Sequence, residues 1–109
     1  EGCVVMQDVF IGPGSTVGSS TVLRNQVLLG HDNHIGDGVF IAVHSVIMGY
    51  TSIDSYSFVG GNSTILPKLN IGNNCIVGAG AVLTKSVPDH EMWAGNPAKK
   101  LRNNDKIVL

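Results

Sequence analysis

The sequence predicts an all-β domain built on a six-residue repeat, and three observations predict it. Every sixth residue from Val5 to Leu83 is Val, Ile or Leu, fourteen positions in succession. A run of that length has a chance of roughly 10⁻⁷ at this composition, so ordinary strand alternation does not account for it. With the aliphatic residue as position 1, position 2 (Met6 through Thr84) holds Gly at seven of its fourteen places. Glycine there suits a turn with unusual backbone angles or a close approach of two backbones. Position 5 (Val9 through Val87) is small or β-branched except at Asn33 and Leu69. Composition agrees: charged residues are 14% of the chain and Gly is 14 of 109 residues, the balance of a β-rich domain with many turns.

The fourteen consecutive hexads, together spanning residues 5–88, resemble the hexapeptide-repeat family. That resemblance implies a left-handed parallel β-helix in which three hexads make one triangular coil of 18 residues. Spacing alone does not set the hand, and the left hand runs against the usual crossover rule. Coils are expected about 4.8 Å apart, with position 1 stacked inside as a narrow core that has no sequence-distant partner. The chain holds between four and five such coils. It is expected to form one domain, a β-helix over residues 1–88 and a capping segment over 89–109.

Position 6 points outward, and an 18-residue coil sorts it into three faces. One reads Phe10, Leu28, Val46, Thr64, Val82; a second reads Val22, Phe40, Phe58, Ile76; the third reads Thr16, His34, Ser52, Asn70, Pro88. Two faces are apolar ladders and one is polar. That much exposed apolar surface calls for a partner, and the family resemblance implies a homotrimer with prisms side by side. A domain lacking its own covering segment is the other reading.

His31 falls at a corner, with Pro13 and Gly49 as its stacked neighbours, so the imidazole has open space. Asp32 follows, stacked near Gly14 and Tyr50. A carboxylate beside a histidine can orient its tautomer and raise its basicity. Spacing leaves two readings open here, a functional pair or an exposed corner histidine without a role. His31-Asp32-x-x-Ile35-Gly36 followed by Phe40-Ile41-Ala42 resembles the site segment of bacterial sugar acetyltransferases, the sialic-acid O-acetyltransferase and nucleotide-amino-sugar N-acetyltransferase group. The resemblance implies that His31 is the general base and that Asp32 supports it. Asn33, the odd polar residue of its column, and His44, stacked between Gln26 and Asn62, are expected substrate contacts. His34 reads as a solvated histidine of the polar face, and His90 lies outside the repeat.

A second resemblance covers the C-terminal half. Val77-Gly78-Ala79-Gly80-Ala81-Val82-Leu83-Thr84-Lys85, Val87-Pro88 and Gly95-Asn96-Pro97-Ala98-Lys99-Lys100 are similar to the family's closing segment. Gly78 and Gly80 are expected to leave backbone groups open to the pantetheine arm of acetyl-CoA, the co-substrate the resemblance implies. Lys85, Lys99 and Lys100 are expected to meet coenzyme A phosphates as point charges. Asn96 and Pro97 read as the cap and first turn of a short helix. By family position, Phe40, Gly49, Gly61 and Ala79 should line the coenzyme groove. Some members carry a histidine at the place of Phe40 that contacts the acyl donor; here that contact is expected to be apolar.

Other classes are less well served. Seven basic against eight acidic residues give a net charge of −1, without the field a nucleic-acid binder needs. No apolar run spans a membrane. Cys3 and Cys75 make neither a disulfide framework nor a zinc knuckle, so a reducing, cytoplasmic setting is expected. No Cys or Ser stands beside a base as a nucleophile, which points to direct acetyl transfer. A zinc carbonic anhydrase of the same fold would need three histidines converging between subunits, and the spacing of His31, His34 and His44 does not resemble that family's; no metal is expected. A non-catalytic trimeric β-helix scaffold is the remaining alternative. The acceptor is expected to be an amine or hydroxyl of a sugar or sugar nucleotide. The chain opens on Glu1 rather than Met, so a fragment without an N-terminal sugar-nucleotide domain is one expectation.

Overall fold

The structure is a computed structural model and describes residues 2–104; residues 1 and 105–109 of the two expected segments lie outside it. Among the described residues fourteen two-residue strands recur every six residues, from Val4–Val5 to Val82–Leu83, and there is no helix. None is therefore long and apolar enough to cross a membrane. Each of the first eleven pairs in parallel with the strand 18 residues on, as Val22 with Phe40 and Leu28 with Val46. The result is the expected left-handed β-helix of about five turns.

Three parallel sheets form the three faces of the prism. The first carries Val4, Val22, Phe40, Phe58 and Ile76 outward. The second carries Phe10, Leu28, Val46, Thr64 and Val82. The third carries Thr16, His34, Ser52 and Asn70. We call the corner leaving each face by that face's number. The polar third face bonds to itself, Thr16 Oγ1 to His34 Nδ1 at 2.8 Å and Ser52 Oγ to Asn70 Oδ1 at 2.6 Å.

Position 1 makes the core. Leu23, Leu29, Ile41, Ile47, Ile53, Val59, Ile65, Ile71, Val77 and Leu83 are all 0% exposed, and each such side chain stabilises the prism by about 1.5–3 kcal/mol through burial. Position 5 staples the corners from inside. Hydroxyls of Thr21, Ser45, Thr51 and Ser57 donate to the carbonyls of Gly36, Gly60, Leu66 and Gly72 at 2.6–2.9 Å, each fifteen residues on.

The position-2 glycines divide the two roles the sequence allowed them. Their φ values are ordinary, and what they allow is close approach: a Cβ on Gly12 would strike the Gly30 carbonyl. The left-handed backbone falls instead at position 4, from Asp8, Gly14 and Ser20 through Gln26, Asp32, Gly38 and His44 to Asn74 and Gly80. Mostly non-glycine residues occupy it, so glycine content did not mark it.

The two ends differ. At the N-terminal end the position-1 residues Val5 and Ile11 are exposed. At the C-terminal end the last corner is two residues short. Val87 pairs with Ile71, sixteen residues away, and is buried. Ser86, not Pro88, therefore takes the third-face place and bonds the Asn70 N–H at 2.9 Å. The expected C-terminal helix is absent. Glu91–Gly95 continues the first sheet in parallel beside Ile76 and Val77, and Ala98–Asn103 returns antiparallel. An unpaired sheet edge offers a full row of backbone partners, which outweighs the local helix-starting preference of Asn96-Pro97.

Candidate active site

His31 and Asp32 stand at the second corner, in the stack the repeat predicts. The Asp32 N–H donates to the Pro13 carbonyl at 2.9 Å, and the Tyr50 N–H donates to the His31 carbonyl at 3.0 Å. His31 Nδ1 lies 3.1 Å from Asp32 Oδ2, with both side chains about half exposed. An ionised carboxylate only accepts hydrogen bonds. Nδ1 must then carry the proton, which leaves the lone pair on Nε2.

Three neighbours hold this pair. The imidazole lies over Gly49, where a Cβ would sit 2.5 Å from its Cε1 and Nε2. Tyr50 meets it edge-on, with ring centroids 5.1 Å apart. Below, a Cβ on Gly14 would collide with the Asp32 carboxylate. Both glycines are needed for the same reason, room for a side chain stacked from the adjacent coil.

Backbone donors separate the corners. At the third corner the position-3 N–H groups of Ser19, Asp37, Ser55 and Asn73 are each bonded by the side chain one coil on, Asp37, Ser55, Asn73 and Asp89 in turn, at 2.7–3.1 Å. At the second corner the N–H groups of His31 and Gly49 have no acceptor among the described residues, and at the first corner neither do those of Val43, Gly61 and Ala79.

The other expected site residues gather elsewhere. Phe40 lies on the first face, stacked on Phe58 at 5.3 Å between centroids. Gly61, Gly78, Ala79 and exposed His44 belong to the first corner, across the second face from His31. His31, His34 and His44 thus occupy the second corner, the third face and the first corner, and no two share a place. Lys85 is exposed at the shortened second corner, and Lys99 is exposed on the last strand.

Several expectations are corrected. The Gly78 N–H is not open to a ligand; it donates to the Trp93 carbonyl at 2.8 Å, and the Gly80 N–H donates to Gly61 at 2.8 Å. Asn33 faces no substrate. It is 0% exposed, and its Nδ2 donates to the carbonyls of Met48 and Thr51 at 2.7 and 3.1 Å, tying the His31 corner to the next coil. Lys100 is held 3.2 Å from Glu91. Together with a bond from Trp93 Nε1 at 2.9 Å, the leading cause, this keeps the Glu91 carboxyl below the usual carboxylate range. Cys75 is buried, and burial pushes its thiol up, as fits a structural thiol. Tyr50 was expected beside Asp32 and is found edge-on to His31, while Arg24 went unnoticed in the sequence. Arg24 had a signal: it is a long cation in a column that otherwise favours glycine.

Residues 5–88 match the model of the GMPPB C-terminal domain family. The chain belongs to that family. It is 31% identical to the bifunctional protein GlmU of Lactococcus lactis, over 97% of this chain and 26% of that protein. Among solved structures, a perosamine N-acetyltransferase from Caulobacter crescentus in complex with CoA and GDP-perosamine is 25% identical, with a TM-score of 0.79, over 93% of this chain and 54% of that one. The acetyltransferase domain of PglB from Neisseria gonorrhoeae, in complex with acetyl coenzyme A, is 26% identical, with a TM-score of 0.73, over 91% and 54%. The chain spans about a quarter of GlmU and about half of the two acetyltransferases.

Proposed function

We propose that the chain transfers an acetyl group from acetyl-CoA to an amine or hydroxyl of a sugar or sugar nucleotide, with His31 as general base. The carrying observation is the 3.1 Å contact between His31 Nδ1 and Asp32 Oδ2; a proton shared there leaves the Nε2 lone pair for the acceptor. His31 takes the acceptor's proton as its nitrogen or oxygen bonds to the thioester carbon. The carbon–sulfur bond then breaks, and His31 returns the proton to the leaving thiolate. The Gly49 N–H, without an acceptor among the described residues, is the donor we assign to the oxyanion, where a fixed donor is most effective. The acyl donors in the two related acetyltransferase complexes support the co-substrate, and a cytoplasmic setting matches it.

The site is completed between copies. His31 and Gly49 stand at one edge of the apolar second face, and Gly61 and Ala79 stand at the other. In a parallel homotrimer with second faces around the axis, the second corner of each protomer meets the first corner of its neighbour. That arrangement buries Phe10, Leu28 and Val46, and it forms a groove walled by His31 from one protomer and by Phe40, Gly61 and Ala79 from the next. Within the described residues the coils supply both walls and the hairpin of residues 91–103 closes their C-terminal end, and exposed Lys85 and Lys99 are the contacts we assign to coenzyme A phosphates. The test is thiol release from acetyl-CoA with a panel of amino-sugar nucleotides. His31→Ala should lower the rate by about 10²–10⁴-fold with the oligomer intact. Full activity in that variant overturns the assignment, and absence of both turnover and coenzyme A binding in the parent protein leaves the scaffold reading.

A further inference from the structure

Arg24 is the one charged side chain at the inner turn of the first corner. In order along the prism, that turn holds Met6, Arg24, Ala42, Gly60 and Gly78. Small residues suffice there, and at Gly60 and Gly78 the space is closed to a Cβ by Ala79 and Ala94. Arg24 therefore turns outward, and its guanidinium carbon lies 6.0 Å from the centre of the Phe40 ring. The Phe40–Phe58 stack beneath makes that ring a fixed platform. Its Nε is buried without a hydrogen-bond partner, and no carboxylate among the described residues pairs with it. A buried guanidinium nitrogen left unbonded is costly, and an arriving anion would meet the outer Nη end of the fork rather than Nε.

Its height matters as much as its charge. Arg24 and His31 lie on the same coil, between strands Val22–Leu23 and His34–Ile35, on the two corners that bound the second face. A threefold axis parallel to the prism preserves height, so Arg24 of one protomer comes level with His31 of the next. Acetyl-CoA is uncharged around its thioester, and its phosphates lie at the far end of the pantetheine arm. A fixed cation level with the base therefore has no partner on the donor.

We propose that Arg24 recognises an oxyanion on the acyl acceptor, a phosphate or a carboxylate, and holds it beside His31 of the neighbouring protomer. This rests on the trimeric acetyltransferase reading above. An Arg fork presents paired donors to either anion, and Phe40 limits the directions it can take.

The experiment compares acetyl transfer by the parent protein, Arg24→Gln and Arg24→Lys to four amino sugars: nucleoside-diphosphate-linked, 1-phosphorylated, carboxylated and neutral. In Arg24→Gln the preference for the anionic over the neutral acceptor, as a ratio of kcat/KM, should fall roughly 10- to 100-fold through KM, with Arg24→Lys between. The anionic acceptor that shows the loss identifies phosphate or carboxylate. An unchanged ratio overturns the proposal, as does a fall in kcat shared by all acceptors. If the parent protein acetylates none of them, the acetyltransferase reading fails, and calorimetry with the nucleoside-diphosphate amino sugar and the carboxylated amino sugar tests Arg24 alone. A loss of affinity for one of them in Arg24→Gln, by roughly tenfold or more, supports it, and equal affinity or no binding in the parent overturns it. Thermal unfolding and size-exclusion of each variant separate these results from loss of the fold.

Discussion

The second and third corners share a backbone and differ in what their side chains do with it. At the third corner Asp37, Ser55, Asn73 and Asp89 each reach back one coil and bond the N–H of the residue stacked before them. The corner satisfies itself. At the second corner the stack reads Pro13, His31, Gly49, Pro67. Proline has no N–H to give and glycine has no oxygen to offer, so the His31 and Gly49 donors stay open and the imidazole gains room. The repeat supplies the same turn at both places, and short-range side-chain chemistry decides whether its N–H groups are bonded within the prism or left without an acceptor among the described residues.

Substitutions can break that contrast from either side. After His31→Ala itself, the largest effect should come from Gly49→Ala. Its Cβ would overlap the His31 ring, and the displaced base should cost roughly 100-fold in kcat. Little change in the urea unfolding midpoint should accompany it; an active Gly49→Ala protein would show that the ring does not work from this position. Next is Asp32→Asn, which replaces an acceptor by a group that can donate to Nδ1 and so favours the wrong tautomer. A loss of roughly 10-fold or more is expected, with the size-exclusion profile of the parent protein unchanged. Asn73→Ala tests the closed corner. It removes the acceptor of the Ser55 N–H and should cost about 1 kcal/mol in urea unfolding with turnover unchanged; an equal loss of turnover would mean the corners are not independent.

The smallest effect concerns the cap. The Glu91 carboxyl is held below its usual range by Trp93 and Lys100, so the folded state favours its ionised form. The stability this contributes is present above the ordinary carboxylate pKa, about 4.3, and is lost as pH falls through the lower folded value. Trp93 is the only tryptophan. Its fluorescence should report the hairpin loosening in acid, and Glu91→Gln should flatten that pH dependence.

Much of this was readable in the chain because coil contacts are nearest-neighbour contacts at spacings of 6 and 18. Pro13 and Gly49 beside His31, the two apolar ladders and the polar one all follow from counting. Counting fails where the register changes. The two-residue shortening that brings Val87 under Ile71 leaves no mark in a periodic column, because Val at 87 suits position 5 as well as position 1. Asn33 was misread for a related reason. A polar residue in an apolar column looks like a functional exception, yet its amide finds the Met48 and Thr51 carbonyls inside the prism. Asp32 likewise has a structural place as well as a chemical one, as the left-handed residue of its corner.

The sequence by itself determined the repeat, the inward column and the pairing of His31 with Asp32, since each depends on residues at fixed short spacings. Only the tertiary structure decided which position takes the left-handed turn, which backbone donors remain open, and that residues 91–103 form a hairpin on the first sheet. Those outcomes depend on what the adjacent coil presents. A sheet edge with unpaired donors and acceptors takes whichever strand can reach it, and that competition is settled in space rather than along the chain.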